Sequence, residues 1–210
     1  GIDRPDPGAG TQVFLVPRPG VLHVVLYGRG DARMSSAADC TVDCLATLAD
    51  AVAARTRVVG KVIGDDSYYP DQRWSPGMSW NNIGTDEAAA SSALSLDGNE
   101  LTVRVRPGVE WAVPLVEAPA YLQVVNEART VSGEATALGL DHRLNSREFR
   151  LYGVIAPGAG EWRQQIGIDD PADYTAFTFA EMLRARGVTV TGEIVARHGR
   201  RDLGAFLEAA

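Results

Sequence analysis

Lysine is nearly absent from this chain: Lys61 is the only one in 210 residues, and the arginines are dispersed along the chain, with Arg200-Arg201 the one adjacent pair. A surface that grips phosphates needs clustered Lys and Arg, and the formal net charge is −7. Nucleic acid is therefore not an expected partner. The single lysine also removes a nucleophilic route. A Ser-x-x-Lys motif would need a serine at position 58, which is Val58, and a Lys-Thr-Gly motif fails because Val62 follows Lys61. The hydrolase elbow Gly-x-Ser-x-Gly is missing too. His23, His142 and His198 lie far apart, and two cysteines without histidines at ligand spacing do not make a zinc site. The chain itself is expected to hold no catalytic residue, no metal and no cofactor.

Long apolar runs are also lacking. The nearest, Trp111 to Val125, is interrupted by Pro114, Glu117 and Pro119, too broken to cross a bilayer. No charged-then-apolar leader precedes it, yet Gly1-Ile2-Asp3-Arg4-Pro5 reads as an arbitrary start, which leaves a removed leader open. Cys40 and Cys44 are the only cysteines. Four apart on a helix, their Cβ atoms would be about 5–6 Å apart, against about 3.5–4.5 Å for a disulfide. Buried thiols and a local bridge both stay open.

What is present describes an ordinary folded domain, with 45% hydrophobic and 22% charged residues. Val13–Val16 and Val21–Tyr27 read as strands, the second of the buried kind. Gly28-Arg29-Gly30-Asp31 resembles part of a dinucleotide turn, but it lacks the third glycine and the distant acidic residue, so a tight turn is the reading. Ser36, with Asp39 three residues on, starts a helix in a near capping box, and Cys44, Leu45, Leu48 and Val52 carry its apolar stripe to Arg55. With a strand at Lys61–Gly64 this makes a βαβ unit with parallel pairing. Asp97-Gly98-Asn99 between Ala93–Leu96 and Leu101–Val105 predicts a hairpin. Further β-like runs follow at Tyr121–Val125, Ala135–Leu138 and Phe149–Ile155. Asp170 as N-cap, Pro171 at the first position, a stripe through Ala176, Phe179, Ala180 and Leu183, and Gly187 as stop define a second helix, before a strand at Val188–Val195.

The expected architecture is an α/β Rossmann-like domain built from both ends of the chain, residues 12–92 and 158–197. A mostly antiparallel β subdomain, residues 93–157, is inserted in it. Residues 198–210 are a loop and short helix at a truncated end.

The most unusual stretch is Gly64-Asp65-Asp66-Ser67-Tyr68-Tyr69-Pro70, leading to Trp74 and Trp80. Carboxylates and aromatics at a strand end are where α/β sheets present their chemistry. Asp66 and Ser67 read as turn formers and Asp65 as a substrate contact. Tyr68 and Tyr69 would face opposite sides of a continuing strand, one in the core and one on a cleft wall. The two tryptophans are expected to pack down a long loop. Ser79-Trp80-Asn81 fits Ser-x-Asn, a pattern short enough to arise by chance.

Gly64–Tyr69, Arg73-Trp74-Ser75-Pro76-Gly77-Met78-Ser79-Trp80-Asn81-Asn82 and Ser91-Ser92-Ala93-Leu94-Ser95 resemble a block of the class C low-molecular-mass penicillin-binding proteins, D-alanyl-D-alanine carboxypeptidases and endopeptidases of serine peptidase family S13. Leu26–Asp31, Asp169–Leu183 and Gly187–Gly192 resemble earlier and later parts of the same family in the right order. The resemblance implies the insert region of a periplasmic enzyme, without the serine and lysine motifs. It implies two partners: the peptidoglycan stem peptide and the penicillin-recognising serine domain of a parent protein. It also implies that an Asp and an aromatic from this loop meet the peptide's free amine at the cleft rim. Those are Asp65 and Tyr69, or Asp66 and Tyr68 if the alignment slips by one. A charge-assisted contact between carboxylate and ammonium suits that role. The alternative is a stand-alone peptidoglycan- or protein-binding module.

Overall fold

A computed structural model of the chain describes residues 10–79, 82, 83, 85 and 88–199. Trp80, Asn81 and the short helix expected within 200–210 lie outside the described residues. Contacts divide the chain into two compact units. The first comprises Gly1–Gly77, Ala90–Asn99 and Asp170–Ala210, the second Met78–Ala89 and Glu100–Asp169.

In the first unit, β1 (Gln12–Arg18) and β2 (Val21–Tyr27) form an antiparallel hairpin. The chain then crosses through α1 (Leu45–Ala53) and a two-residue β3 (Val58–Val59) to β4 (Val62–Asp65), which pairs with β2 in parallel. That is the βαβ pairing the sequence predicts. After α2 (Pro171–Ala185), β12 (Thr189–Val190) joins β3 and β13 (Ile194–Arg197) joins β4, both in parallel. The main sheet runs β1-β2-β4-β13. The single strand expected over Val188–Val195 is thus two short ones serving two sheets.

The core is built on the face of β2 and β4 that meets the helices. Val24, Leu26 and Val62 are fully buried, and Leu45, Ala49 and Val52 of α1 and Ala176, Phe179, Ala180 and Leu183 of α2 are likewise sequestered. Burying a side chain of Leu or Phe size is worth about 1.5–3 kcal/mol. Gly64 lets α2 approach closely, since a Cβ there would stand 2.2 Å from the Ala172 carbonyl oxygen. The helix is anchored as its sequence predicts: Asp170 accepts the Asp173 amide at 3.0 Å. At the other end Gly187 N and Val188 N donate to Arg184 O and Leu183 O, a Schellman pattern.

Two expectations fail here. Helix α1 begins at Leu45, not Ser36, because Ser35 and Ser36 direct their hydroxyls to the Asp97 carboxylate instead of capping a helix. Cys40 and Cys44 then lie ahead of the helix, and in that turn they form a disulfide with Cα atoms 5.7 Å apart. The 97–99 hairpin is also absent. Asp97, Gly98 and Asn99 all adopt left-handed conformations, and the Asn99 side chain bonds Leu96 N and Ala90 O, closing a local turn. Residues 93–96 are consequently not a strand paired with residues 101–105.

In the second unit, β5 (Glu100–Arg106) pairs antiparallel with β6 (Leu115–Glu117) and β11 (Trp162–Gly167). A second sheet centres on β10 (Glu148–Ile155). β7 (Gln123–Asn126) and β8 (Arg129–Thr130) run parallel to it, and β9 (Ala137–His142) runs antiparallel.

Candidate functional site

Three parallel strands of the first unit end side by side, with Tyr27, Asp65 and Arg197 as register partners on β2, β4 and β13. Neighbouring strands are about 4.8 Å apart, so three side chains on one face come together there. In open α/β sheets, ligands bind outside the carboxyl ends of strands.

Asp65 is 1% exposed. Its Oδ2 accepts from Arg197 Nε at 2.9 Å and from Nη2, and its Oδ1 accepts the Ser67 amide at 3.0 Å. Burial pushes its pKa up, but Arg197 and Ser67 outweigh burial and hold it below the ordinary carboxylate value. The carboxylate predicted to meet substrate is therefore already engaged by a guanidinium of this chain. The Arg197 side chain is itself 60% exposed.

One residue on, Asp66 accepts the Ser92 hydroxyl at 2.8 Å and lies 3.0 Å from His198 Nδ1. His198 Nε2 is 3.2 Å from Asp170 Oδ2, to which Arg73 Nη2 donates at 3.0 Å. Pinned between the Asp170 and Asp66 carboxylates, His198 is pushed up to about 10 although burial opposes it. Asp170 is raised by burial but lowered more by His198, the Asp173 amide and Arg73, so it lies below its ordinary value. This mostly buried network fixes the loop after β4 to β13 and the start of α2. Asp66, read as a turn former, instead bonds side chains remote in sequence, and it is Asp65 that accepts the local Ser67 amide.

Tyr68 and Tyr69 do not divide between core and cleft, because β4 stops at Asp65 and both rings emerge from the loop. They are 39% and 48% exposed, with ring centroids 5.0 Å apart. Tyr68 meets Tyr27 edge to face at 6.3 Å, and the Arg29 guanidinium lies 5.5 Å from the Tyr68 centroid. The Gly28-x-Gly30 turn serves these rings: a Cβ on Gly30 would stand 2.4 Å from the Tyr69 hydroxyl. A groove of about 420 Å³ runs back from the strand ends across the sheet, lined among others by Phe14, Val25, Tyr27, Ile63, Asp65 and Arg197. Among the described residues no group of three or more His, Cys, Asp and Glu is placed to hold a metal.

Sequence reasoning located the loop but missed Arg197, His198 and Arg73. Arg197 and His198 follow a predicted strand, and pairing that strand with Lys61–Gly64 would have brought them beside Asp65 and Asp66.

Residues 17–205 match the D-Ala-D-Ala carboxypeptidase 3 (S13) family. The chain belongs to that family. A D-alanyl-D-alanine carboxypeptidase of Actinomadura sp. (strain R39) is 28% identical over 211 residues, covering 90% of this chain and 37% of the relative. Penicillin binding protein 4 of Haemophilus influenzae shares the fold, with TM-score 0.67 at 16% identity over 90% of this chain and 44% of that one. The same protein complexed with a β-lactam gives TM-score 0.56 at 13% identity, covering 91% and 42%. This chain thus spans well under half the length of these S13 and penicillin-binding relatives.

Proposed function

We propose that this chain is the non-catalytic insert region of an extracytoplasmic D-alanyl-D-alanine carboxypeptidase or endopeptidase. Its β4 loop lines the rim of the cleft that receives peptidoglycan stem peptides. The observation that carries this reading is the set of aligned strand ends Tyr27, Asp65 and Arg197, with exposed Tyr68 and Tyr69 beside them, in a chain of the S13 family. A serine of the partner domain would attack the peptide carbonyl, expel D-alanine and form an acyl ester that water hydrolyses. Neither Ser-x-x-Lys nor Lys-Thr-Gly occurs in these 210 residues.

Tyr69 is the exposed aromatic of the rim. Asp65 is the carboxylate for a stem-peptide ammonium, which reaches it by taking the place of the Arg197 guanidinium, an exchange of one charge-assisted partner for another.

Labelling with a fluorescent penicillin tests the reading. The whole gene product should carry one covalent adduct on a serine outside these residues, and the 210-residue chain should carry none. An adduct within residues 1–210 would refute the assignment. A gene product that carries neither Ser-x-x-Lys nor Lys-Thr-Gly would favour the stand-alone binding module.

A further inference from the structure

At the strand-end site Asp65, Asp66 and Asp170 are largely withdrawn, whereas the Arg197 side chain stays open to solvent. Asp65 is 1% exposed and its charge is met by Arg197; the Asp66 and Asp170 side chains are 12% and 23% exposed and share His198. Asp31 turns its carboxylate to the Arg33 amide at 3.0 Å. Arg197, by contrast, uses only Nε and Nη2 on Asp65, so among the described residues its Nη1 edge is free on a side chain 60% exposed. Arg29 is half-buried, and among the described residues no carboxylate lies within ion-pair distance of it; its guanidinium meets the face of Tyr68.

These two guanidiniums flank one aromatic pair. Arg197 stands two strands from Tyr27 in the same register row, Tyr27 meets Tyr68 edge to face, and Arg29 covers Tyr68. A half-buried guanidinium with no anion has given up part of its hydration without compensation. Its fork of donors matches a carboxylate in two-point geometry, and its ring contact keeps that fork oriented. On a chain of net charge −7 the site is locally balanced, with Asp31, Asp65, Asp66 and Asp170 set against Arg29, Arg73, Arg197 and His198.

We propose that the strand-end site binds a peptide carboxylate, with Arg29 as the residue that selects it. The apolar groove floor of Phe14, Val25 and Ile63 receives the body of the same peptide. The biological ligand rests on the rim reading above; the anion preference rests on the side chains alone.

The test is a titration of the protein followed by amide NMR signals of residues 27–30 and 65–69. The probes are N-acetyl-D-alanyl-D-alanine, its C-terminal amide, and N-acetyl-D-isoglutamine, whose only carboxylate is on the side chain. At least one acid should bind about 5-fold or more tighter than the amide, as a charge-assisted contact predicts; the tighter acid identifies the source of the carboxylate. Arg29→Gln, which breaks no ion pair among the described residues, should bring acid and amide within about 2-fold, and Arg29→Lys should restore part of the difference. Arg197→Ala is unsuitable alone because it strands buried Asp65. Equal binding of acids and amide by the wild type, or undiminished discrimination in Arg29→Gln, overturns the proposal while leaving the rim reading intact. Failure of all three probes to move these signals overturns both.

Discussion

Asp169 and Asp170 are adjacent in sequence, yet each serves the histidine of a different unit. Asp170 meets His198 at 3.2 Å in the first unit, where Asp66 and Arg73 complete a network of alternating charge. Asp169 meets His142 at 3.3 Å in the second, where the imidazole is stacked 4.3 Å from the Phe149 ring and its Nδ1 is buried without a hydrogen bond among the described residues. One histidine lies between two carboxylates that favour a charged ring, against the opposing Arg73 guanidinium 3.2 Å from its Nε2, and the other is used largely as a flat aromatic body with one polar edge. The difference teaches where ionic organisation has been concentrated: around the loop that follows β4, and not at the otherwise similar pair one residue away. A charged network fixes geometry in a way that apolar packing of a loop this polar could not, because every buried donor and acceptor must find a specific partner.

The largest expected effect comes from breaking the charge balance at the strand ends. Arg197→Ala leaves Asp65 buried without its cation and should cost about 3–5 kcal/mol in urea unfolding, whereas Arg29→Gln should stay within about 0.5 kcal/mol. A similar cost for both would mean that Asp65 does not depend on Arg197. Next, Asp170→Ala removes an N-cap and the shared acceptor of His198 and Arg73, for a loss of about 2–3 kcal/mol. Asp170→Asn retains the cap and should recover about 1 kcal/mol of it.

The pH dependence separates the two histidines. His198 has a folded-state value pushed up to about 10, above its ordinary value of 6.5. Its contribution to stability is therefore complete below about 6.5 and declines as pH rises toward 10, since the unfolded chain releases that proton first. Unfolding free energies measured across this window should fall in the wild type and flatten in His198→Gln. A slope that survives the substitution assigns the effect elsewhere. The smallest change is expected from His142→Phe, which preserves the stacked ring against Phe149, leaves the Asn145 amide on Asp169 at 2.7 Å and removes an orphaned nitrogen. It should shift stability by about 1 kcal/mol or less, with the His198 pH slope unchanged.

Legibility in the sequence tracked the range of the interactions. Helix α2 was readable at both ends because Asp170, Pro171 and Gly187 act on the backbone within a few residues. The pairing of β2 with β4 came from element order. The helix predicted from Ser36 failed because a remote residue, Asp97, claims the serine hydroxyls. The hairpin at 97–99 failed because Asn99 satisfies backbone groups that a ladder would otherwise use. At the site, Asp65, Tyr68 and Tyr69 stood out by composition alone. The partner of Asp65 lies 132 residues away, so no local pattern could show that its charge was already met.

The most direct test of the central claim is to map a photoreactive stem-peptide analogue on the protein. The account predicts crosslinks concentrated at residues 27–30 and 65–69, with no acyl ester anywhere in residues 1–210. Crosslinks confined to residues 100–169, or an acylated serine within this chain, would contradict it.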